Sequence, residues 1–99
     1  SDLGEMIFLI KPQFEAGRDK VGKKGVVRSA ETHQDVLTNV VQAGFESGLN
    51  CAGLTYSPLL GPQGNIEYLI HWKKGQEPKA KLKPEKIADI INQAWENLK

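Results

Sequence analysis

Lys11 is the first residue whose type and position could do chemistry, because it follows five consecutive apolar residues, 6–10, and precedes Pro12. An unbroken apolar run is typical of a strand that is covered on both faces, as in a parallel α/β sheet. Lys11 would then lie at the carboxyl end of that strand, the edge of an open α/β sheet at which ligands bind. Partial burial of an amine favours its neutral form, which can accept a proton. The alternative is a lysine whose apolar stem covers core surface while its ammonium stays in water.

Glu67 is the second candidate, and its position depends on the order of the predicted strands. Residues 50–56 and 65–72 both have the pattern of strands, and the turn-rich connection 57–64 between them favours an antiparallel pair. The last strand therefore starts at the edge where the first two end, so Glu67 is expected at the same edge as Lys11. If this hairpin folds back beside the first strand, the lysine and the glutamate can approach each other.

Two helices are predicted to complete the fold. Thr32 is the predicted N-cap of a helix that ends at Gly48, with apolar residues spaced three and four apart. Pro84 opens a last amphipathic helix, which we expect to pack on this chain's own sheet, with an oligomer contact as the alternative. The order strand, helix, strand predicts a right-handed parallel crossover and hence an α/β fold. These elements are too few to cover both faces of the first strand, so we expect further strands and helices beyond this sequence.

A glycine-rich, basic segment follows the first strand. We expect Pro12 to keep the chain extended and to end the strand, and residues 13–28 to form a loop. This segment has five basic residues against two acids. Lys20, Lys23 and Lys24 are its candidates for contacts with the phosphates of a nucleic acid. The alternative is a solvated linker, since charge runs are commonly exposed.

The composition is that of one small globular domain, with 99 residues of which 39% are hydrophobic and 25% charged. A formal net charge of +1 provides no global basic field, so nucleic-acid binding would need a local patch. The single cysteine fits a reducing compartment. No stretch is apolar enough to span a bilayer or has the order of a signal peptide, and we expect a cytoplasmic location. The chain begins Ser-Asp-Leu without a methionine, which suggests processing or a fragment.

Four other side chains are expected to have structural roles. His33, directly after the predicted helix cap, is interpreted as a surface or capping residue. His71 has no cysteine or carboxylate at metal-ligand spacing, and no metal is expected. Cys51 is interpreted as a small buried apolar residue, and Trp95 as part of the apolar face of the last helix.

The chain contains three blocks in order: L-I-K-P-Q-F-E-A-G-R at 9–18, K-G-V-V-R at 24–28 and G-P-Q-G-N-I-E-Y-L-I at 61–70. With these blocks it resembles the haemolysin-A/TlyA family over residues 6–72, and through that family the FtsJ-type ribose methyltransferases. The resemblance aligns with the carboxyl-terminal half of the methyltransferase domain. It implies the C-terminal part of a Rossmann-like sheet, built from a strand, a crossover helix, a strand and an antiparallel strand, plus a C-terminal helix. It also implies that the last strand inserts between its neighbours.

This resemblance implies S-adenosylmethionine-dependent methyl transfer to a ribose 2′-hydroxyl of ribosomal RNA. Residues 1–73 would belong to the methyltransferase domain, and residues 74–99 would form a linker and an amphipathic helix. The related enzymes use a Lys-Asp-Lys-Glu set, in which Lys11 matches the second lysine and Glu67 the glutamate. The first lysine, the aspartate and the glycine-rich cofactor loop have no position in this sequence. The cofactor-binding residues are therefore unknown, and this chain alone is expected to be inactive.

The roles of the two matched residues stay open at this point. Lys11 either accepts the ribose proton as a neutral amine or stays charged and stabilises the developing oxyanion, while Glu67 orients Lys11 or a substrate hydroxyl. Two other classes of function are also open: a haemolytic, membrane-active protein and a non-catalytic RNA-binding module. The last helix mixes acids and lysines on its polar face, whereas membrane-surface helices are more uniformly basic. We therefore expect ribosomal RNA and no membrane as the partner, and the sequence does not specify an oligomeric state.

Overall fold

Three strands and three helices make up the described part of the chain, which in the computed structural model comprises residues 4–15, 29–61, 64–74 and 82–98. In chain order they are β1 (Glu5–Ile10), α1 (Pro12–Glu15), α2 (Ala30–Glu46), β2 (Leu49–Tyr56), β3 (Tyr68–Lys74) and α3 (Pro84–Leu98). The strands lie in the order β1-β3-β2, and β3 is antiparallel to both neighbours. β1 and β2 therefore run parallel. The predicted α/β fold, with its last strand inserted between the other two, is confirmed.

The hydrophobic core lies between the sheet and the two long helices. Tyr68, Ile70 and Trp72 alternate along β3 and are buried, because side chains two residues apart share one face of a strand. α2 and α3 supply the rest of the cluster, which comprises Val36, Leu37, Val41, Ile87, Ile91 and Ala94 together with Ile10 and Ile66. The prediction that the last helix packs on this chain's own sheet is thus confirmed.

α2 begins earlier than predicted. Ser29 has an extended backbone, and its side chain accepts a hydrogen bond from the Thr32 N–H at 3.2 Å, which satisfies one of the unpaired donors of the first turn. Thr32 is therefore a buried residue within that turn and not the N-cap. The helix stops as predicted before Gly48, whose φ of 88° lies in the left-handed region that glycine adopts without strain.

A glycine in the last turn of α2 is explained by its contact with the sheet. Gly44 lies against the Trp72 ring, and a Cβ in its place would overlap the ring atoms. Glycine inside a helix costs about 0.5–1 kcal/mol relative to alanine. Here the missing side chain allows α2 to approach β3 closely and to cover the indole.

β1 is less covered than its apolar sequence predicted. Ile7, Phe8 and Leu9 are 69%, 51% and 47% exposed, and within this strand only Ile10 is buried. Among the described strands β1 pairs with β3 alone, so it is an edge strand, and both long helices lie on one face of the sheet. The expected coverage of both faces of β1 is not provided by the described residues.

The chain after β1 also differs from the prediction. Pro12 does not hold it extended but opens α1, because the proline ring sets a helical φ and its missing N–H is not needed in a first turn. The Lys11 carbonyl accepts hydrogen bonds from the N–H groups of Phe14 and Glu15 at 2.9 and 3.1 Å. The predicted loop thus starts with one helical turn, which controls the direction of the side chains that follow Lys11.

Candidate active site

Lys11 and Glu67 lie at the same end of the sheet. The pairing of β1 with β3 ends where Ile10 is opposite Tyr68. Lys11 and Glu67 are the next residues outward on the two segments, since β3 begins at Tyr68 and not, as predicted, at Asn65. The register between β1 and β3 therefore brings these two distant residues to one edge, which we call the rim.

The Glu67 carboxylate occupies an enclosed position behind the rim, and Glu67 is only 5% exposed. Gln13 Nε2 donates a hydrogen bond of 2.7 Å to Glu67 Oε2. On another side Gly61 approaches so closely that a Cβ there would overlap the carboxylate. The Gly61 N–H donates a hydrogen bond of 2.7 Å to the Asn65 carbonyl, and the Ser57 N–H donates one of 2.8 Å to the Glu67 carbonyl. A backbone turn and one amide side chain thus determine where the carboxylate lies.

Lys11 is less buried than Glu67. Lys11 is half-buried, and its Nζ is 5.4 Å from the centroid of the Phe14 ring, a cation–π distance. Phe14 is itself 71% exposed. No ion pair joins Lys11 to Glu67 in the described part of the chain. The two groups share the rim, but they are linked through α1, because Gln13 lies two residues after Lys11.

This arrangement divides the chemistry between the amine of a half-buried lysine and a buried carboxylate. An amine at an open edge can accept a proton or stabilise negative charge on a bound group. A carboxylate that is nearly fully buried affects a substrate mainly by positioning the groups that are hydrogen-bonded to it. The geometry therefore makes Lys11 the candidate for contact with a substrate and Glu67 the candidate for a supporting role.

A buried histidine was missed by sequence reasoning. His33 is 1% exposed and not a surface residue, and its Nδ1 lies 2.7 Å from Tyr68 Oη. Its ring also contacts Trp95 edge-on, with centroids 4.8 Å apart. The sequence signal that could have identified it is Ser29 as the helix cap. With that start, His33 precedes Leu37 by one turn and falls on the apolar face of the helix. Burial raises the pKa of Tyr68, so the phenol stays protonated and available for this hydrogen bond.

Two other reactive residue types have ordinary surroundings. His71 Nε2 lies 2.7 Å from Glu5 Oε1 in a partly exposed pair on the sheet face that the helices do not cover. Burial raises the pKa of the Cys51 thiol, which disfavours the nucleophilic thiolate. Neither residue is a candidate for catalysis.

The structure does not describe the three candidate lysines of the predicted basic loop, and its described part has neither a metal-binding group nor a helix that could span a membrane. Lys20, Lys23 and Lys24 lie outside the described residues, and their proposed contacts with RNA stay a prediction. Within residues 4–15, 29–61, 64–74 and 82–98, no group of three His, Cys, Asp or Glu side chains could hold a metal ion. None of the described helices is long and apolar enough to cross a membrane.

The mixed α/β fold agrees with what the comparisons with known proteins find. The family model of FtsJ-like methyltransferases matches residues 2–74. This chain belongs to the FtsJ-like methyltransferase family.

The similar proteins carry two kinds of name. The chain is 46% identical over 94 residues to "Putative rRNA methyltransferase YqxC" of Bacillus subtilis, and the match covers 92% of this chain and 33% of that protein. It is 34% identical over 90 residues to "16S/23S rRNA (cytidine-2'-O)-methyltransferase TlyA" of Mycobacterium tuberculosis, covering 91% of this chain and 33% of that protein. It is 41% identical over 66 residues to "Hemolysin A" of Brachyspira hyodysenteriae, covering 67% of this chain and 28% of that protein.

A solved structure supports the fold over nearly the whole chain. "Putative hemolysin from Streptococcus thermophilus" superposes with a TM-score of 0.88 at 38% identity, covering 98% of this chain and 34% of that one. The chain thus spans about a third of the length of the curated relatives it matches.

Proposed function

We propose that this chain forms part of the active site of an S-adenosylmethionine-dependent ribosomal RNA ribose 2′-O-methyltransferase. The observation that carries the proposal is the rim, where the register of β1 and β3 brings Lys11 and Glu67 to one end of the sheet. The name of the TlyA relative, a 16S/23S rRNA (cytidine-2'-O)-methyltransferase, supports the same substrate class. An rRNA substrate is consistent with a cytoplasmic protein.

In this proposal Lys11 is the catalytic residue. A ribose hydroxyl is a weak nucleophile, and its proton must leave as its oxygen attacks a methyl group. A lysine amine at hydrogen-bond distance can take that proton or stabilise the charge that develops on the oxygen. The position of the amine at the rim, beside the exposed Phe14 ring, is compatible with either role.

Glu67 has the supporting role in this proposal. It is 5% exposed and forms no ion pair with Lys11 in the part of the chain described here. A buried charge requires hydrogen-bond partners, and the amide of Gln13 provides one at 2.7 Å. We infer that Glu67 holds the segment that carries the catalytic amine and does not itself exchange a proton with substrate.

The cofactor would supply the methyl group, but the rim residues do not fit it by themselves. β1 leads directly into α1, which has Pro12 at its first position, and the sequence has no G-x-G-x-x-G motif after a strand. We therefore propose that residues of a longer protein hold the cofactor. The exposed side chains of β1, Ile7, Phe8 and Leu9, agree with this view because further chain would cover them.

The complete protein is expected to transfer labelled methyl groups from S-adenosylmethionine to ribosomal RNA. Digestion of the product RNA and mass spectrometry should place the label on ribose 2′-oxygens. Methylation of bases only would contradict the proposal, and so would the absence of any transfer. A parallel assay of dye release from liposomes addresses the haemolytic alternative, for which the expected result is no release.

The basic segment gives a second prediction. If Lys20, Lys23 and Lys24 contact phosphates, replacing all three by glutamine should weaken the binding of rRNA by the complete protein. The slope of log affinity against log salt should become shallower by up to about one unit per lost contact. A matched control replaces Lys73, Lys74 and Lys86, which are exposed outside this segment. Equal changes in both triple variants would indicate a general charge effect and would reject a specific contact.

A further inference from the structure

A side-chain hydrogen bond between Gln13 and Glu67 ties the segment after Lys11 to the segment before β3. Gln13 belongs to α1, which starts directly after Lys11, and its Nε2 lies 2.7 Å from Glu67 Oε2. The first turn of α1 closes on the Lys11 carbonyl. A shift of this turn would therefore move the backbone of Lys11 as well.

The surroundings of Gln13 indicate that its amide is needed for this contact. Its Oε1 is buried and has no hydrogen-bond partner among the described residues. Burying an unpaired acceptor is unfavourable, so packing alone would favour an apolar side chain of the same size. The bond from Nε2 to Glu67 is the interaction that an apolar residue would lose.

The surroundings of Glu67 indicate that its position is tightly restricted. The carboxylate lies against the backbone of Gly61, where even a methyl group would overlap it. The carboxylate cannot move toward this backbone, and the Gln13 amide contacts it from α1. It is therefore a fixed anchor for the amide.

We propose that Gln13 is a positioning residue, through which the buried Glu67 holds α1 and so places the Lys11 amine at the rim. This inference rests on the proposed function, because it assumes that Lys11 acts on substrate. Glu67 then influences Lys11 indirectly, because it accepts the hydrogen bond from Gln13. The charge of Glu67 is not the essential property.

The two possible roles of Glu67 predict different results for its variants. Glu67→Gln keeps a carbonyl oxygen that can accept the bond from Gln13, whereas Glu67→Met keeps the length but removes the acceptor. If the acceptor matters, Glu67→Gln retains most of the activity, and Glu67→Met loses as much as Gln13→Met does. If the charge matters, both Glu67 variants lose activity alike.

The test measures kcat and KM for methyl transfer to rRNA by the complete protein. Gln13→Met is expected to lower kcat by roughly 10- to 100-fold, the scale of a misplacement of about 1 Å at a reacting group, with KM for the cofactor within about twofold. Gln13→Asn, whose amide is one methylene too short to reach Glu67, should give a similar loss. The double variant Gln13→Met with Glu67→Met should be no slower than either single variant, because both remove the same bond.

Gln42→Met is the matched control. Gln42 Nε2 donates to Glu46 Oε2 at 2.9 Å in an exposed pair within α2, so the same substitution removes the same kind of bond away from the rim. Its kcat should equal that of the wild type. Melting temperatures of all variants show whether each one is folded under the conditions of the assay.

Each outcome separates the inference from the function on which it rests. Wild-type kcat in Gln13→Met and Gln13→Asn, together with inactivity of Lys11→Ala, overturns the inference and leaves the proposed function intact. Multiplying losses in the double variant, or equal losses in Glu67→Gln and Glu67→Met, also overturn the inference. Wild-type kcat in Lys11→Ala overturns the proposed function and the inference with it.

Discussion

Lys11→Ala is expected to lower the rate of methyl transfer by the complete protein by about a hundredfold or more. That is the usual scale for the loss of a group that transfers a proton or stabilises charge in the transition state. Affinity for S-adenosylmethionine should be unchanged, because the rim around Lys11 does not fit the cofactor. Stopped-flow or filter-based turnover measurements, together with calorimetric titration of the cofactor, check both parts.

Lys11→Arg separates the two chemical roles of the lysine. Arginine can keep the contact with Phe14 and the positive charge, but it cannot give up its proton. Recovery of most of the activity would show that Lys11 acts by charge, whereas little recovery would show that it acts as a base.

Lys73→Ala is the control for both Lys11 variants, because Lys73 is an exposed lysine that lies opposite Glu5 in the strand register, at the other end of β3. Its turnover should equal that of the wild type. Near wild-type turnover in Lys11→Ala would show that Lys11 only covers core surface with its stem.

Tyr68→Ala is expected to destabilise the protein by about 3–5 kcal/mol, the range for truncating a large buried aromatic side chain. Tyr68 is 0% exposed and lies at the start of β3, directly after Glu67. Its removal leaves a cavity between the sheet and the helices and also removes the hydroxyl that lies 2.7 Å from His33 Nδ1. Urea unfolding of wild type and variant measures the loss, and a change below about 1.5 kcal/mol would show that the site collapses around the missing ring.

Tyr68→Phe isolates the hydroxyl group. The variant keeps the ring but leaves His33 Nδ1 without the phenol that lies 2.7 Å away, which should cost about 1–3 kcal/mol for a buried polar group. Tyr56→Phe is the matched control, since its hydroxyl accepts an exposed hydrogen bond of 2.8 Å from Asn97, and surface changes usually stay within about 0.5 kcal/mol. Equal stability of the two Phe variants would contradict a special role for the buried pair.

The elements of this fold follow from local sequence patterns. The apolar run before Lys11, the stripe that contains Val36 and Leu37, and Pro84 at the start of α3 each express a rule that involves only a few neighbouring residues. Gly48 is of the same kind, because the left-handed turn that ends α2 requires a residue without a Cβ. The two candidate residues at the rim were also identified from sequence, by the end of one strand and by three sequence blocks that resemble a known family.

The burial of His33 shows how a small error in the predicted start of a helix leads to a wrong prediction of which side chains are buried. Ser29 and Thr32 can both cap a helix, and the choice between them shifts the first turn and changes which residues face the sheet. Only the packed structure decides this choice, because the core fixes the helix rotation that buries His33 between Tyr68 and Trp95.

The order of the predicted strands placed Lys11 and Glu67 at one edge, but the contacts at the rim were decided by tertiary structure. The exposure of β1 depends on which elements are present beside it, and an apolar run predicts that a strand is covered without specifying what covers it. The hydrogen bond from Gln13 to Glu67 depends on a helical turn after Pro12, on the register of β1 against β3, and on the close approach of Gly61. Sequence identified the lysine and the glutamate, but the amide that connects them became visible only when two segments distant in the chain were folded against each other.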